Sequence, residues 1–368
     1  MVADRVSAFK RAAGTSLAPN PRFEETSDPM SLLCLPASVL LLAVCAGEQT
    51  APKHFVFFGR DRERIRDPEF LATKALAGAQ LKYTWKELEP ERDRYALESM
   101  LDDCAFLSQH GKKLWVQIQD VSFDKAAVPV PGYLRSDPAF GGGVAEKFES
   151  PDDDVAHERS DGWVVRRWDP AVQERFRKLL AAIAGKLDGR IEGINLPETA
   201  ISFGKRREHQ PAGFTPDAYA KAVLATMSAA RAAFQKSPVV QYANFMPGEW
   251  LPFDDKGYLQ SVYDHAAKIG VGVGGPDLLP HRKGQQNHCL RSIAGRKAGV
   301  IAALAVQDGN LDELNPKTKQ RVTATELYRY AKDELHLDYL FWGTQEPHYK
   351  KQVLPLLRGL EEKQTEDR

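Results

Sequence analysis

Cysteine is scarce in this sequence, with four in 368 residues. Cys34 and Cys45 fall in an apolar N-terminal segment, and Cys104 and Cys289 lie too far apart in the chain to define a disulfide framework, so buried thiols are expected. Net charge is also lacking, because 50 Lys and Arg are matched by 50 Asp and Glu. That balance removes any bulk electrostatic case for nucleic acid or an anionic membrane as partner. The nine histidines are scattered and form no His-x-His or His-Glu-x-x-His pair. His281 and His288 share one loop, among Arg282, Lys283 and Asn287, and no metal site is expected. No Gly-x-Gly-x-x-Gly follows the first strand, no Gly-x-Ser-x-Gly elbow occurs, and there is no internal repeat. Gly141-Gly142-Gly143 lacks a following Lys-Ser/Thr and reads as a hinge, not a phosphate loop. Neither a nucleotide cofactor nor a serine triad has a motif to rest on, and no cofactor is expected.

A long apolar run occurs near the N-terminus, from Met30 through Leu40-Leu41-Leu42 to Ala46. It is too short for a comfortable membrane span and suits the core of a secretory signal, with Val44-Cys45-Ala46 as the small-residue cleavage site. Leu42-Ala43-Val44-Cys45 also approximates a lipoprotein signal. Residues 1–50 are therefore read as an extension plus a signal-like segment. Residues 51–368 are read as one domain, secreted or periplasmic, with no integral membrane domain in the mature chain.

From residue 54 short apolar runs alternate with helical patterns eight times. The strands are expected at His54–Gly59, Ala79–Trp85, Lys113–Asp120, Arg190–Leu196, Val239–Phe245, Val271–Asp277, Val300–Asp308 and Asp338–Gly343. Helices are expected from Asp67, over Glu98–His110, Pro170–Leu187, Thr215–Lys236 and Tyr258–Ile269, from Thr323, and over Gln352–Lys363. The pattern predicts an α/β fold, a single (β/α)8 TIM barrel. It carries a long loop insertion after strand three, Val121 to Arg167, as a candidate cleft wall or lid with Tyr133, Phe140 and Trp163.

In such a barrel catalytic groups collect at the C-terminal ends of the strands. Those ends here carry Tyr83, Trp85, Gln117, Asn195, Glu198, Asn244, Asp277, Gln307, Asp308 and Trp342. Amides and acids with flat aromatics suit a ligand covered in hydroxyls. Strand alternation turns Gly193 and Asn195 toward the barrel axis, and Ile194 and Leu196 toward the helices. On strand seven it favours Gln307 inward, so Asp308 reaches the mouth only where the strand has ended. Glu198 lies past Pro197, where the turn sets its direction. Glu198 and Asp308 form the candidate carboxyl pair, with Glu249 and Glu346 in reserve. Lys205-Arg206-Arg207 reads as a solvated rim that could meet an anionic sugar.

Three segments resemble the barrel glycoside hydrolases of clan A. Tyr83-Thr84-Trp85-Lys86-Glu87-Leu88-Glu89-Pro90 is similar to the clan's W-x-x-L-E-P segment on strand two. Trp168-Asp169-Pro170 opens the helix ahead of Glu198, and Phe341-Trp342-Gly343 stands where the clan has a subsite tryptophan. The resemblance implies a glycoside hydrolase cleaving O-glycosidic bonds of an oligo- or polysaccharide, with retention. It implies Glu198 as acid/base and Asp308 as nucleophile. Tyr83, Trp85, Gln117, Asn195, Asn244, Gln307 and Trp342 would hold the sugar. Leu196 and Pro197 separate Asn195 from Glu198, where the clan has Asn directly before its Glu, and Asp308 stands in place of a Glu. An inverting hydrolase pairing Glu198 with another carboxylate, and a barrel that binds sugar without cleaving it, stay open.

Overall fold

The computed structural model describes residues 51–149 and 155–366. The signal-like segment lies outside the described residues. Eight parallel strands close a barrel: β1 (Lys53–Gly59), β2 (Leu76–Thr84), β3 (Lys113–Gln119), β4 (Gly193–Leu196), β5 (Val239–Tyr242), β6 (Gly272–Gly275), β7 (Ala302–Val306) and β8 (Tyr339–Trp342). Each strand pairs with the next in sequence, and β8 closes on β1 through Lys53 opposite Tyr339 and Val56 opposite Trp342. The longer helices are α1 (Glu98–Gln109), α2 (Pro170–Leu187), α3 (Pro216–Ala233), α4 (Tyr258–Ile269) and α5 (Leu354–Glu366).

Local chemistry accounts for the helix starts. Asp169 caps α2 by accepting from the Ala171 and Val172 amides, and Thr215 caps α3 by accepting from Ala218 N; both helices have proline in their first turn. Glu249 terminates the loop after β5 by accepting from the Lys256, Tyr258 and Leu259 amides, so it caps α4. Val, Ile and Leu at alternate strand positions fill the layer between barrel and helices, whereas Phe55, Trp115, Val240, Tyr242, Ala303, Ala305, Tyr339 and Phe341 fill the barrel interior. Trp115 lies across Gly193, where a Cβ would approach its ring to 2.7 Å, so glycine here makes room for the interior tryptophan.

The stretch after β3 is not a plain loop. It builds a three-stranded antiparallel sheet in which Arg159–Val165 lies between Val121–Ser122 and Val144–Glu149. Lys147 is buried within it against Glu149 at 2.6 Å and Asp161 at 2.8 Å. The three glycines at 141–143 all have positive φ (53°, 87° and 69°) and lead directly into the Val144 strand. A Cβ on Gly143 would come within 2.7 Å of Leu134 O, so this run is a packed turn and not a hinge. Arg206 of the basic cluster donates to Val155 O at 2.8 Å and 3.1 Å and so docks on this sheet's return segment.

Among the described residues no helix is long and apolar enough to cross a membrane. Cys104 and Cys289 are buried and unpaired.

Candidate active site at the barrel mouth

Barrel register decides which strand-end residues reach the mouth. Gln80 stands opposite Trp115 and donates to the interior Tyr242 hydroxyl at 3.2 Å, so the even positions of β2 face the axis and Lys82 follows. Gln117, two residues past Trp115, faces inward, as does its register partner Asn195, whose Oδ1 accepts from Trp115 Nε1. Ala303 and Ala305 lie inside, and Gln307 stands one residue past the end of β7.

Tyr83, Trp85 and Trp342 fall on the opposite parity, and this corrects their expected place as sugar platforms. Tyr83 points into the helix layer and donates to Asp103 at 2.8 Å. Trp85 opens a one-turn helix, packs on Phe176, and donates to Glu89 at 2.8 Å. Glu89 is itself fully buried against Arg175 of α2. The W-x-x-L-E-P segment is thus an ion-paired strut between β2 and α2. Trp342 is fully buried in the outer layer and donates to His54 Nδ1 at 3.1 Å. Burial lowers the His54 pKa to about 4, so it accepts this bond as a neutral imidazole. Trp342→Ala is expected to cost roughly 3–5 kcal/mol in a denaturant titration. Its ligand affinity below the melting transition should be unchanged.

Glu198 follows Pro197 at the end of β4 and turns into the mouth. Asn244, at the end of β5, donates from Nδ2 to Glu198 Oε2 at 3.0 Å. Asn244 is fixed in turn through Oδ1, which accepts from Phe245 N at 3.1 Å and Ala200 N at 3.2 Å. Behind Glu198, Arg167 grips Asp120 through two hydrogen bonds of 2.6 Å and 2.7 Å, donates to Glu198 O at 2.5 Å and reaches Tyr219 at 2.7 Å. Tyr219 donates to Thr199 O at 3.0 Å. The backbone that aims Glu198 is therefore held from α3, from Asp120 just past β3 and from Arg167 just before α2 together. A small cavity lined by Asp120, Arg167, Pro197 and Gln241 lies on this outer side, between α2 and α3, and not in the mouth.

Burial first, and the negative charge of Asp277 second, push the Glu198 pKa above the ordinary glutamate range. The Asn244 hydrogen bond and the positive charges of Arg167 and Lys82 oppose the shift without reversing it. Asp277 follows Pro276 at the end of β6, as Glu198 follows Pro197 at the end of β4. Asn310, from the turn after β7, donates to Asp277 Oδ1 at 2.8 Å and accepts from Leu278 N at 2.9 Å. Each of these two carboxylates is held by an asparagine from the next strand's end.

The other expected carboxylates go elsewhere. Asp308 is exposed, and its pKa is raised by partial burial and then by Asp312, with no influence from Glu198 or Asp277. The Asp308-Gly309-Asn310 turn supplies Asn310 to the site. Glu249 is consumed as the α4 cap, and Glu346 is an exposed partner of Lys350 at 3.7 Å. Sequence reasoning placed Asp277 at a strand end without a role. The signal that could have found it is the repeated proline-carboxylate step at strands four and six.

Polar atoms without partners line the interior just below the mouth. Gln80 Oε1 and Gln117 Oε1 are buried and accept no hydrogen bond among the described residues. Buried amides in that condition mark places for a polar ligand or water. Exposed aromatics stand on the loops above. Trp250 and Phe253 follow β5, Phe123 follows β3, and Trp250 stacks on Phe245 with an interplanar angle of 6°. Among the described residues no group of three His, Cys, Asp or Glu converges as a metal site would require.

No protein-family description matches the sequence, and no curated protein resembles it in sequence. Solved structures do resemble it in shape. The catalytic domain of a β-amylase from Paenibacillus polymyxa aligns with a TM-score of 0.54 at 7% identity, over 84% of this chain and 100% of that one. The shared feature is the (β/α)8 fold. Endo-glycoceramidase II from Rhodococcus sp. aligns with a TM-score of 0.49 at 13% identity, over 84% of this chain and 78% of its own. A GH10 endoxylanase retrieved from a sugarcane soil metagenome aligns with 0.46 at 14%, over 82% and 88%. The likeness to barrel glycoside hydrolases holds at the level of architecture.

Proposed function

We propose that the protein is a glycoside hydrolase that cleaves O-glycosidic bonds of an oligo- or polysaccharide at this mouth. The observation that carries the reading is the pairing of Glu198 with Asp277. One carboxyl group has its pKa raised by burial and by the other's charge, and each is fixed by its own asparagine. Glycosidic cleavage needs two carboxyl groups at the scissile bond, one of them an acid whose proton is held more firmly than usual.

Glu198, protonated, gives its proton to the departing glycosidic oxygen. Asp277 attacks the anomeric carbon, and Glu198, now ionised, draws the proton from the water that releases the sugar. Asn244 orients the Glu198 carboxyl. Gln80, Gln117, Asn195 and Gln307 are placed to bind sugar hydroxyls from below. The stereochemical outcome turns on the separation of the two carboxyl groups, about 5–5.5 Å for retention against about 6.5–9.5 Å for inversion.

The test is a panel of neutral and acidic oligosaccharides, followed by reducing-end release and by NMR of the first anomer formed. Retention of configuration supports the attack by Asp277. Inversion keeps the hydrolase and reassigns Asp277 as the base that activates water. Binding without release of sugar would make the protein a non-catalytic carbohydrate-binding barrel.

Trp250 takes the platform role in place of the buried tryptophans. Trp250→Ala is expected to raise KM by roughly two- to tenfold through lost stacking, with kcat little changed. Steady-state kinetics on the substrate found in the panel check this.

A further inference from the structure

Lys82 is used neither by the fold nor by the proposed cleavage. It projects from β2 into the mouth beside Gln117, with its ammonium 5.1 Å from the centroid of the Phe57 ring. Among the described residues no carboxylate or carbonyl accepts a hydrogen bond from it. The chain treats its other sheltered lysines differently. Lys112 is satisfied by Thr73 O and Leu76 O, both at 2.6 Å, and Lys147 by Glu149 and Asp161. A cation withdrawn from water without a partner is costly, so one left aimed into a cleft marks a place where the ligand completes the pair.

The charges around Lys82 point the same way. Glu198 and Arg60 are the groups whose charge it feels. Glu198 is the residue that must be protonated to act as the acid, and in that state it offers Lys82 no counter-charge. Arg60, exposed just past the end of β1, adds a second positive charge on the same side. Asp277 is engaged by Asn310. The β1–β2 wall of the mouth is therefore positive while the β4–β6 wall carries the acids.

We infer that the substrate is an acidic glycan, with a carboxylate or sulfate on the sugar bound at the cleavage site seated against Lys82 and Arg60. This rests on the hydrolase reading for the position of the cleaved bond, whereas the anion site itself stands on Lys82. A charge-assisted bond from an ammonium discriminates an anionic group from a neutral hydroxyl by about tenfold or more.

Calorimetry on the full chain tests this with uronic acids, sugar 6-sulfates and the neutral parent sugars of the gluco, galacto and manno series. At least one acidic sugar should bind about tenfold more tightly than its parent. The preference should vanish in Lys82→Met and persist in Lys82→Arg, with both variants matching wild type in circular dichroism. The arm that binds, uronate or sulfate, identifies the acidic group. Equal binding of acidic and neutral sugars, no binding of any, or a preference surviving in Lys82→Met overturns the inference. Cleavage of neutral glycans without preference would leave the hydrolase standing and remove the acidic group. Lys82-dependent binding without cleavage of any glycan would do the reverse.

Discussion

Glu198→Gln is expected to lower hydrolysis by roughly 10²–10⁴-fold, with ligand affinity retained. The amide keeps the size of the side chain and its hydrogen bond from Asn244, but it has no proton to give the leaving oxygen. The loss should shrink on substrates whose leaving group departs without protonation, such as aryl glycosides of acidic phenols, because the acid is needed least there. A second readout is independent of turnover. The folded state holds the Glu198 proton more tightly than the unfolded chain does. Glu198 therefore favours folding below the ordinary glutamate pKa, and that contribution is lost as pH rises through its raised folded value. Glu198→Gln should accordingly melt higher than wild type at neutral pH. The advantage should disappear in melts below about pH 4.

Asp277→Asn is expected to lower hydrolysis by a comparable factor, roughly 10²–10⁴-fold, whereas Asp308→Asn changes it little. The two aspartates separate the structural reading from the one that strand order alone favours. Asp308 stands past β7, exposed, and interacts with Asp312. Asp277 is held by Asn310 and acts on Glu198 directly. Removing the Asp277 charge takes away the second cause of the raised Glu198 pKa, so that pKa should fall. The sign of the kinetic consequence follows, since activity requires the protonated acid. The alkaline limb of the residual rate on an activated substrate should move to lower pH in Asp277→Asn and stay in place in Asp308→Asn. Carbon NMR of the Glu198 carboxyl against pH checks the same shift without catalysis.

The barrel was legible because its signal is redundant. Each strand is a short apolar run between turn residues, and the helix starts at Pro170 and Pro216 carry capping chemistry that local sequence displays. Ends were less legible, since strands five to seven finish two to three residues before their expected ends, where the chain bends into the mouth. Within the site, alternation applied to β4 places Asn195 on the axis, where it accepts from Trp115. The same rule on β2 and β8 puts Tyr83 with Leu81 and Trp342 with Leu340, away from it, because the helix layer also needs large aromatics. Family likeness drew attention to the tryptophans for their type, while the register assigns them to packing. Asp277 and Lys82 were hidden for another reason. Their importance is a matter of which neighbours they face across the barrel, and that is settled by closure, not by local pattern. The excursion after β3 escaped for want of a strong strand signal, since Val144–Glu149 (Val-Ala-Glu-Lys-Phe-Glu) puts charged residues on both faces and shows no period of two.

The pairing of Glu198 with Asp277 is tested most directly by one set of initial rates. Wild type, Glu198→Gln, Asp277→Asn and Asp308→Asn are compared on the best glycan of the panel under one buffer. The account predicts sugar release by wild type and Asp308→Asn, and near-complete loss in the other two. Release that survives in both Glu198→Gln and Asp277→Asn, or that is lost in Asp308→Asn alone, would contradict it.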